Sequence, residues 1–144
     1  MSIKTDGEIW FSTGGGSTNY YTTNLGFVIN TWTHLAVTHA ASSTDLKVWK
    51  AGTLTDTVAS GTNRYGPSSG QVNIGTYDNG GDYREIVGYV DEYRISNTER
   101  YTSTFTPSTT AFTSDANTKL LLHGEAGDPS GKVTRIHGTS LAWS

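Results

Sequence analysis

Two neighbouring segments of the chain place apolar residues at every second position, and this period restricts the fold more than any other feature of the sequence. Leu35 and Val37 alternate with small or polar residues in the first segment, which is predicted as a strand from Thr31 to His39. Leu46 and Val48 do so in the second, predicted as a strand at residues 45–50. Because successive side chains of a β-strand point to opposite faces, this spacing gives each strand one apolar face. The small residues at 40–44 predict a turn between the strands, and therefore a β-hairpin.

Further short segments rich in β-branched and aromatic residues recur between clusters of Gly, Ser, Asn and Asp. Many short strands separated by turn residues are typical of an all-β sandwich or barrel. In the segment 85–95 the period of two slips by one residue at Asp91 and Glu92, which predicts a β-bulge there. The additional strands are predicted at residues 8–12, 20–23, 26–29, 53–59, 71–75, 85–95 and 119–123.

One local helix signal is present. Ser96 followed by Glu99 has the spacing of a capping box, which predicts a single helical turn through Arg100 and Tyr101. No long segment has the apolar period of a helix. The Thr-rich residues 102–118 are therefore predicted to be extended and to cross the sheet.

The composition narrows the classes of function. Charged residues make up 16 % of the 144 residues and the formal net charge is −3, so a basic nucleic-acid surface is not expected. The chain has no Cys, which excludes disulfides and thiolate sites and favours a protein folded in the cytosol. Its N-terminal residues lack the apolar core of a secretory signal, and the longest aliphatic run, residues 120–122, is far shorter than a membrane span. We expect one domain that does not insert into a membrane.

Several motifs in a fixed order resemble those of the laminin G-like, concanavalin A-like superfamily. The strand Trp32-Thr33-His34-Leu35-Ala36-Val37 is similar to the Trp-x-His-Leu-Ala-Val strand of that family, and residues 46–52 are similar to the hairpin that follows it. The ordered set spans about residues 26–123, and its closing portion is similar to repeats of bacteriophage tail fibres and other virion proteins. The later matching segments are Ile74-Gly75, residues 88–97, Arg100-Tyr101, Phe105-Thr106-Pro107, Phe112 and Leu120-Leu121-Leu122-His123.

This resemblance implies an all-β, jelly-roll β-sandwich of two antiparallel sheets, formed by residues 1–123. Family members usually have several strands before the Trp-x-His segment, whereas only residues 1–31 precede it here. The C-terminal tail, residues 124–144, is therefore expected to complete the sandwich or to dock on a neighbour. Since an uncovered sheet edge is a template for pairing, we expect a homo-oligomer or docking on other virion proteins.

The catalytic relatives in this superfamily are glucanases, which resemble one another in a strand with the pattern Glu-x-Asp-x-x-Glu. Retaining glycoside hydrolysis requires two carboxyl groups about 5 to 5.5 Å apart. Here the candidate pair, Asp91 and Glu92, is adjacent in sequence, and adjacent strand residues point to opposite faces. We interpret both as bulge residues that bind the backbone or Arg94, and we expect no enzymatic activity. His34 and His123 have no nucleophile partner in the sequence and are interpreted as structural.

The loop between Tyr77 and Tyr83 is the best candidate ligand site. Its Asp78, Asn79 and Asp82 offer hard oxygen atoms of the kind that Ca²⁺ prefers. The two Tyr rings and the Asn79 amide also suit a glycan, because an aromatic ring offers a flat apolar face. An ordinary Asn-Gly hairpin turn explains the same residues, and it is favoured over the metal site because no regular ligand spacing is present.

Trp49 is a further candidate contact. It lies on the strand face opposite Leu46 and Val48, so a glycan or a partner chain is expected to cover it. Trp10 and Trp143 are expected in the core or at an interface.

The sequence as a whole favours a non-enzymatic structural protein on the surface of a phage virion, either a capsid decoration or a tail fibre component, with a glycan as its ligand. The resemblance to virion repeats carries this interpretation. The alternative is a carbohydrate-binding module that a bacterium secretes.

Overall fold

A computed structural model shows short antiparallel strands and no helix in the residues that it describes, which are 2–3, 7–12, 19–59, 74, 76–78, 83–85 and 88–124. The all-β class with antiparallel sheets that the sequence predicts is therefore confirmed. The strands are β1 (Ser2–Ile3), β2 (Ile9–Ser12), β3 (Asn19–Tyr21), β4 (Leu35–His39), β5 (Asp45–Lys50), β6 (Thr53–Ala59), β7 (Thr76–Asp78), β8 (Tyr83–Glu85), β9 (Tyr93–Ser96) and β10 (Thr118–Leu122).

The strands pair in four small sheets. β1, β2 and β3 form one sheet in chain order, and β4, β5 and β6 form a second. β7 pairs with β8, and β9 pairs with β10 across the long connection between them. Within the described ranges no helix has the length and hydropathy that crossing a membrane requires.

The main apolar cluster lies on one face of the β4–β5–β6 sheet. In the register of the β4–β5 hairpin Val37 is opposite Val48, and His39 is opposite Leu46, so their side chains share a face. The hairpin predicted from the period of two is thus confirmed. Burying each Leu or Val side chain is worth about 1.5–3 kcal/mol. The buried members of the cluster are Ile9, Leu25, Leu46, Val48 and Val58, with Phe27, Leu35 and Val37 packed against them.

The opposite face of the same sheet is covered by residues 101–112, which we call the strap. Trp49 is 1 % exposed, and its ring packs 6.0 Å from the ring of Phe105. The Phe105 amide donates to the carbonyl of Gly52, and the Thr38 hydroxyl donates to the carbonyl of Tyr101. β5 is therefore buried on both of its faces, once by the core cluster and once by the strap.

The two-residue turn between β5 and β6 fits the strap closely. Ala51 and Gly52 both have positive φ, 49° and 81°, which is the backbone of a type I′ hairpin turn. A Cβ atom on Gly52 would lie 1.8 Å from the carbonyl oxygen of Phe105. The turn therefore requires glycine for both its conformation and its contact with the strap.

The strand predicted at residues 26–29 is not present, and the next strand begins at Leu35 rather than at Thr31. Gly26 has φ +60°, and its amide donates to the Asn24 side chain. The Lys50 ammonium donates to the carbonyl oxygens of Leu25 and Gly26. Side chains therefore satisfy these backbone groups, so the segment needs no neighbouring strand.

The helical turn predicted after Ser96 is also wrong, because residues 97–98 form bends and residues 99–101 have irregular backbone. The Ser96 hydroxyl accepts a hydrogen bond from the Arg100 guanidinium, and Glu99 lies 3.3 Å from the Lys47 ammonium. The side chains of Ser96 and Glu99 therefore bind Arg100 and Lys47 and do not form the expected capping box. Arg100 additionally makes a two-point ion pair with Asp115, which lowers the pKa of that carboxyl group.

The long strand predicted at residues 85–95 is interrupted. β8 ends at Glu85 and β9 begins at Tyr93, with an irregular backbone at residues 88–92. Glu92 has φ +52°, a left-handed conformation that an extended strand does not contain, and β9 begins only after it. The irregularity predicted at this position is real, but it is a break between strands and not a bulge within one. Residues 71–73 and 75 of another predicted strand, and the tail from residue 125 onward, lie outside the described residues.

The turn provides a test of the contact between hairpin and strap. We expect Gly52→Ala to lower the free energy of unfolding by about 1–2 kcal/mol from the left-handed backbone alone, and by more because of the clash with Phe105. Ala51→Gly is the matched control, since glycine is compatible with φ 49° and the change removes a Cβ atom instead of adding one. Urea unfolding of both variants measures the difference. Equal stability of the two variants would contradict the close approach.

Candidate functional site

Two aromatic rings lie side by side on the surface. Trp32 is 71 % exposed and Tyr89 is 66 % exposed, and their ring centroids are 6.5 Å apart with planes inclined by 40°. The spacing is within the range of interacting aromatic rings. Val28 and Ile29, also strongly exposed, precede Trp32 in the same segment. We call Trp32 and Tyr89 the aromatic pair.

The segment that carries Trp32 is a turn at residues 29–30 followed by irregular backbone that leads into β4. Asn30 has φ +58°, a conformation that Asn tolerates better than most residues, and the Thr31 hydroxyl donates to the carbonyl of Ile29. Residues 26–33 include no charged side chain. The Trp32 ring therefore stands on a neutral, turn-shaped segment.

The segment that carries Tyr89 is fixed by the two acidic residues that follow it. One Asp91 oxygen accepts hydrogen bonds from the amides of Glu92 and Gly124, both at 2.8 Å. The Glu92 carboxylate accepts the Phe112 amide at 2.7 Å and lies 2.8 Å from Nδ1 of His123. These two contacts hold the pKa of Glu92 below its usual value, the Phe112 amide being the larger cause.

The prediction that Asp91 and Glu92 bind the backbone is therefore confirmed, whereas the alternative partner Arg94 is engaged elsewhere. The Arg94 guanidinium lies 4.1 Å from the centre of the Phe112 ring and donates to the Tyr101 hydroxyl. Apart from the local bond between the Glu92 amide and Asp91, these contacts lead to the strap or to the end of β10. The carboxylates of Asp91 and Glu92 therefore link the segment of Tyr89 to the strap and to the residues that follow β10.

His34 lies on the inner side of the segment that carries Trp32. Its ring is half-buried and stands nearly perpendicular to the rings of Tyr101, Phe105 and Phe112, at centroid distances of 5.9, 5.4 and 6.5 Å. Burial and, second, the charge of Arg94 lower the pKa of His34, so the neutral imidazole is favoured. Its buried Nδ1 has no hydrogen-bond partner within the described part of the chain. The structural role predicted for His34 is supported by this aromatic packing.

The exposure to a ligand or a partner expected for Trp49 is wrong. The side chain does lie on the face opposite Leu46 and Val48, as its strand position predicts, but the strap of the same chain covers it. Its indole N–H donates to the Thr38 hydroxyl at 2.8 Å, within the buried interior. Trp49 is therefore part of the fold and offers no surface to a glycan.

The candidate loop connects β7 and β8, which pair as the two strands of an antiparallel hairpin. Tyr77 and Asp78 belong to β7 and Tyr83 belongs to β8, with Asp78 opposite Tyr83. The hairpin that the turn interpretation requires is thus present. Asn79 and Asp82 lie outside the described residues, and so do the side chains of the three strand residues. The calcium and glycan contacts of this loop stay predictions, and among the residues that are described no three acidic, His or Cys side chains form a metal-binding group.

Sequence reasoning did not select the aromatic pair. Trp32 entered only as part of a strand motif, and Tyr89 was not considered as a ligand contact. The available signal was an aromatic residue within an uncharged segment in the first case and one after a glycine in the second. Neither signal shows that the two rings meet, because the contact joins segments that are distant in the sequence.

Comparison with known families agrees with the motifs. A laminin G family model, described as the concanavalin A-like lectin/glucanases superfamily, matches residues 1–105. The chain belongs to this superfamily. Membership suggests carbohydrate binding, and the antiparallel strands are consistent with the β-sandwich of its members. A search of the curated proteins and a search of the solved structures found no match.

The buried bond between Trp49 and Thr38 can be tested directly. Thr38→Val keeps the shape of the side chain but leaves the indole N–H without its acceptor, which we expect to cost about 1–3 kcal/mol of unfolding free energy. Thr38→Ser retains the hydroxyl and serves as the control. Urea unfolding of both proteins measures the cost. If Thr38→Val is as stable as Thr38→Ser, the indole is not buried against this hydroxyl.

Proposed function

We propose that this chain is a non-enzymatic glycan-binding domain on the surface of a phage virion, where it serves as a capsid decoration or as a component of a tail fibre. The exposed aromatic pair carries the glycan-binding part of this proposal. The assembly part rests on the motifs of the closing portion. The two parts have separate tests.

An exposed aromatic pair suits a sugar because one face of a pyranose ring consists of C–H groups that pack on an aromatic face. The 40° inclination between Trp32 and Tyr89 gives the ligand two contact surfaces that are not coplanar. Since residues 26–33 carry no charge, the binding energy would come from stacking and from hydroxyl contacts rather than from ion pairing. A neutral glycan is the ligand that this surface favours.

The absence of catalysis is proposed from the state of the acidic residues. A general acid in a glycosidase needs a raised pKa, so that it carries a proton at neutral pH. The pKa of Glu92 is lowered, and its two oxygens are occupied by the Phe112 amide and His123. Asp91 accepts two backbone amides. This arrangement favours the ionised form of Glu92 and gives both carboxylates a structural task.

The virion location is proposed from residues 88–123, whose motifs resemble repeats of phage tail fibres. In the structure these residues form β9, the strap and β10, which hold one another through the β9–β10 pairing and through Arg100 with Asp115. We propose further that the domain forms a homo-oligomer or docks on other virion proteins.

Binding to an array of neutral and acidic oligosaccharides, followed by calorimetry with the best neutral binder, tests the ligand. We expect Trp32→Ala and Tyr89→Ala each to weaken binding about two- to tenfold, because each removes one stacking ring. Leu54→Ala is the control, since Leu54 is an exposed apolar residue outside the pair. Affinity that is equal in all variants, or binding of acidic glycans alone, would exclude the pair as the site.

Labelling of purified particles with an antibody against this chain, viewed by electron microscopy, tests the location. We expect label at repeated sites on the capsid or on the tail fibres. Glycan binding by a protein that is found free in the culture medium, and not on any particle, would instead support the secreted bacterial module.

A further inference from the structure

Phe112, in the strap, contacts the segments that carry both members of the aromatic pair. Its ring lies 6.5 Å from the ring of His34, edge to face, and His34 is two residues from Trp32. Its backbone amide donates to Glu92 at 2.7 Å, and Glu92 is three residues from Tyr89. One residue therefore connects two segments that are distant in the sequence.

Both contacts of Phe112 are reinforced by charged groups. The Arg94 guanidinium lies over the Phe112 ring at 4.1 Å, an arrangement in which the ring face attracts the cation. The Glu92 carboxylate is also held by His123, at the end of β10. A charge-assisted hydrogen bond such as that from the Phe112 amide to Glu92 is stronger than one between neutral groups. The ring and the amide of Phe112 are thus held independently of each other.

Neither ring of the aromatic pair is held by packing around the ring itself. Trp32 and Tyr89 both lie outside the strands, on segments with irregular backbone. Each ring is mostly exposed, so packing around the ring does not hold it. The separation of the rings therefore depends on what holds the two segments. The Ala51 amide donates to the carbonyl of His34, and the His34 ring also packs on Tyr101 and Phe105. Phe112 differs from these contacts because it also binds the segment of Tyr89, through Glu92.

From this geometry we infer that Phe112 is a positioning residue of the aromatic pair, which sets the distance between the Trp32 and Tyr89 rings without contacting a ligand. The inference deepens the proposed function, and it rests on the aromatic pair being the glycan site. A stacking platform is effective only when both rings are in place before the sugar arrives, because ordering them on binding would weaken the affinity. Phe112 fixes the two segments before a ligand binds, because its ring contacts His34 near Trp32 and its amide binds Glu92 near Tyr89.

Proton NMR of the unliganded protein tests the inference, through cross-relaxation between the Trp32 indole and the Tyr89 ring protons. We expect the cross-peaks in the wild type and their loss in Phe112→Leu, which removes the contacts with His34 and Arg94. Val58→Ala is the control for a general loss of stability, because Val58 belongs to the core cluster on the other side of the sheet. The cross-peaks between Trp32 and Tyr89 should remain in Val58→Ala. Phe112→Tyr, which keeps the ring and the amide, should restore them.

A second variant keeps the test decisive if Phe112→Leu does not fold. Glu92→Ala removes the acceptor of the Phe112 amide and should also weaken the cross-peaks, by releasing the Tyr89 segment. Glu99→Ala is its control, because it removes a carboxylate whose partner, Lys47, lies elsewhere. Cross-peaks that persist in folded Phe112→Leu, or in Glu92→Ala when Phe112→Leu is unfolded, would overturn the inference.

Calorimetry with the neutral oligosaccharide separates this inference from the proposed function. If the wild type binds no oligosaccharide but the cross-peaks depend on Phe112, the proposed function fails and the positioning role stands. If the wild type binds and Phe112→Leu binds with equal affinity, the positioning role is wrong while the glycan site stands. Weakened binding together with lost cross-peaks supports both.

Discussion

The burial of β5 on both faces is the constraint on which the other described elements depend. Val48 and Trp49 are consecutive residues on opposite faces of one strand, and both are almost completely buried. A strand of this kind needs a layer on each side. The segments around Ile9 and Leu25 cover one face, and the strap covers the other. Because the strap has no regular secondary structure of its own, its path depends on contacts with this sheet.

The polar contacts of the strap are consequences of that layering. A buried indole must donate its N–H, and Thr38 provides the acceptor from the neighbouring strand. The strap lacks a strand ladder, so its backbone groups need individual partners. Gly52 accepts the Phe105 amide, and the Glu92 carboxylate accepts the Phe112 amide. These few hydrogen bonds therefore both stabilise the strap and fix its position on the sheet.

Local patterns were sufficient to predict some elements and insufficient for others. The β4–β5 hairpin, β6 and β10 follow from apolar alternation and turn residues, which act over a few residues. The strand expected at 26–29 and the helical turn after Ser96 failed because Lys50 and Lys47 bind groups there, although both are far away in the sequence. Local patterns also do not indicate the exposed aromatic pair or the burial of Trp49 by the strap, because both result from contacts between segments that are far apart in the sequence. Each depends on which segment lies across from a strand face, and a period of two shows only that a face exists.

The charge state of Glu92 links the fold to the candidate site. Its hydrogen bonds with the Phe112 amide and His123 favour the ionised form, which is why its pKa is lowered. A group with a lowered pKa in the folded state contributes stability above its unfolded pKa, and this contribution is lost as pH falls through the folded value. At neutral pH the carboxylate is therefore ionised and accepts the hydrogen bond of the Phe112 amide. In the role that we propose, the hydrogen bond that lowers the pKa of Glu92 is the same one that ties the segment of Tyr89 to Phe112, so that an acidic residue would serve the arrangement of a binding surface.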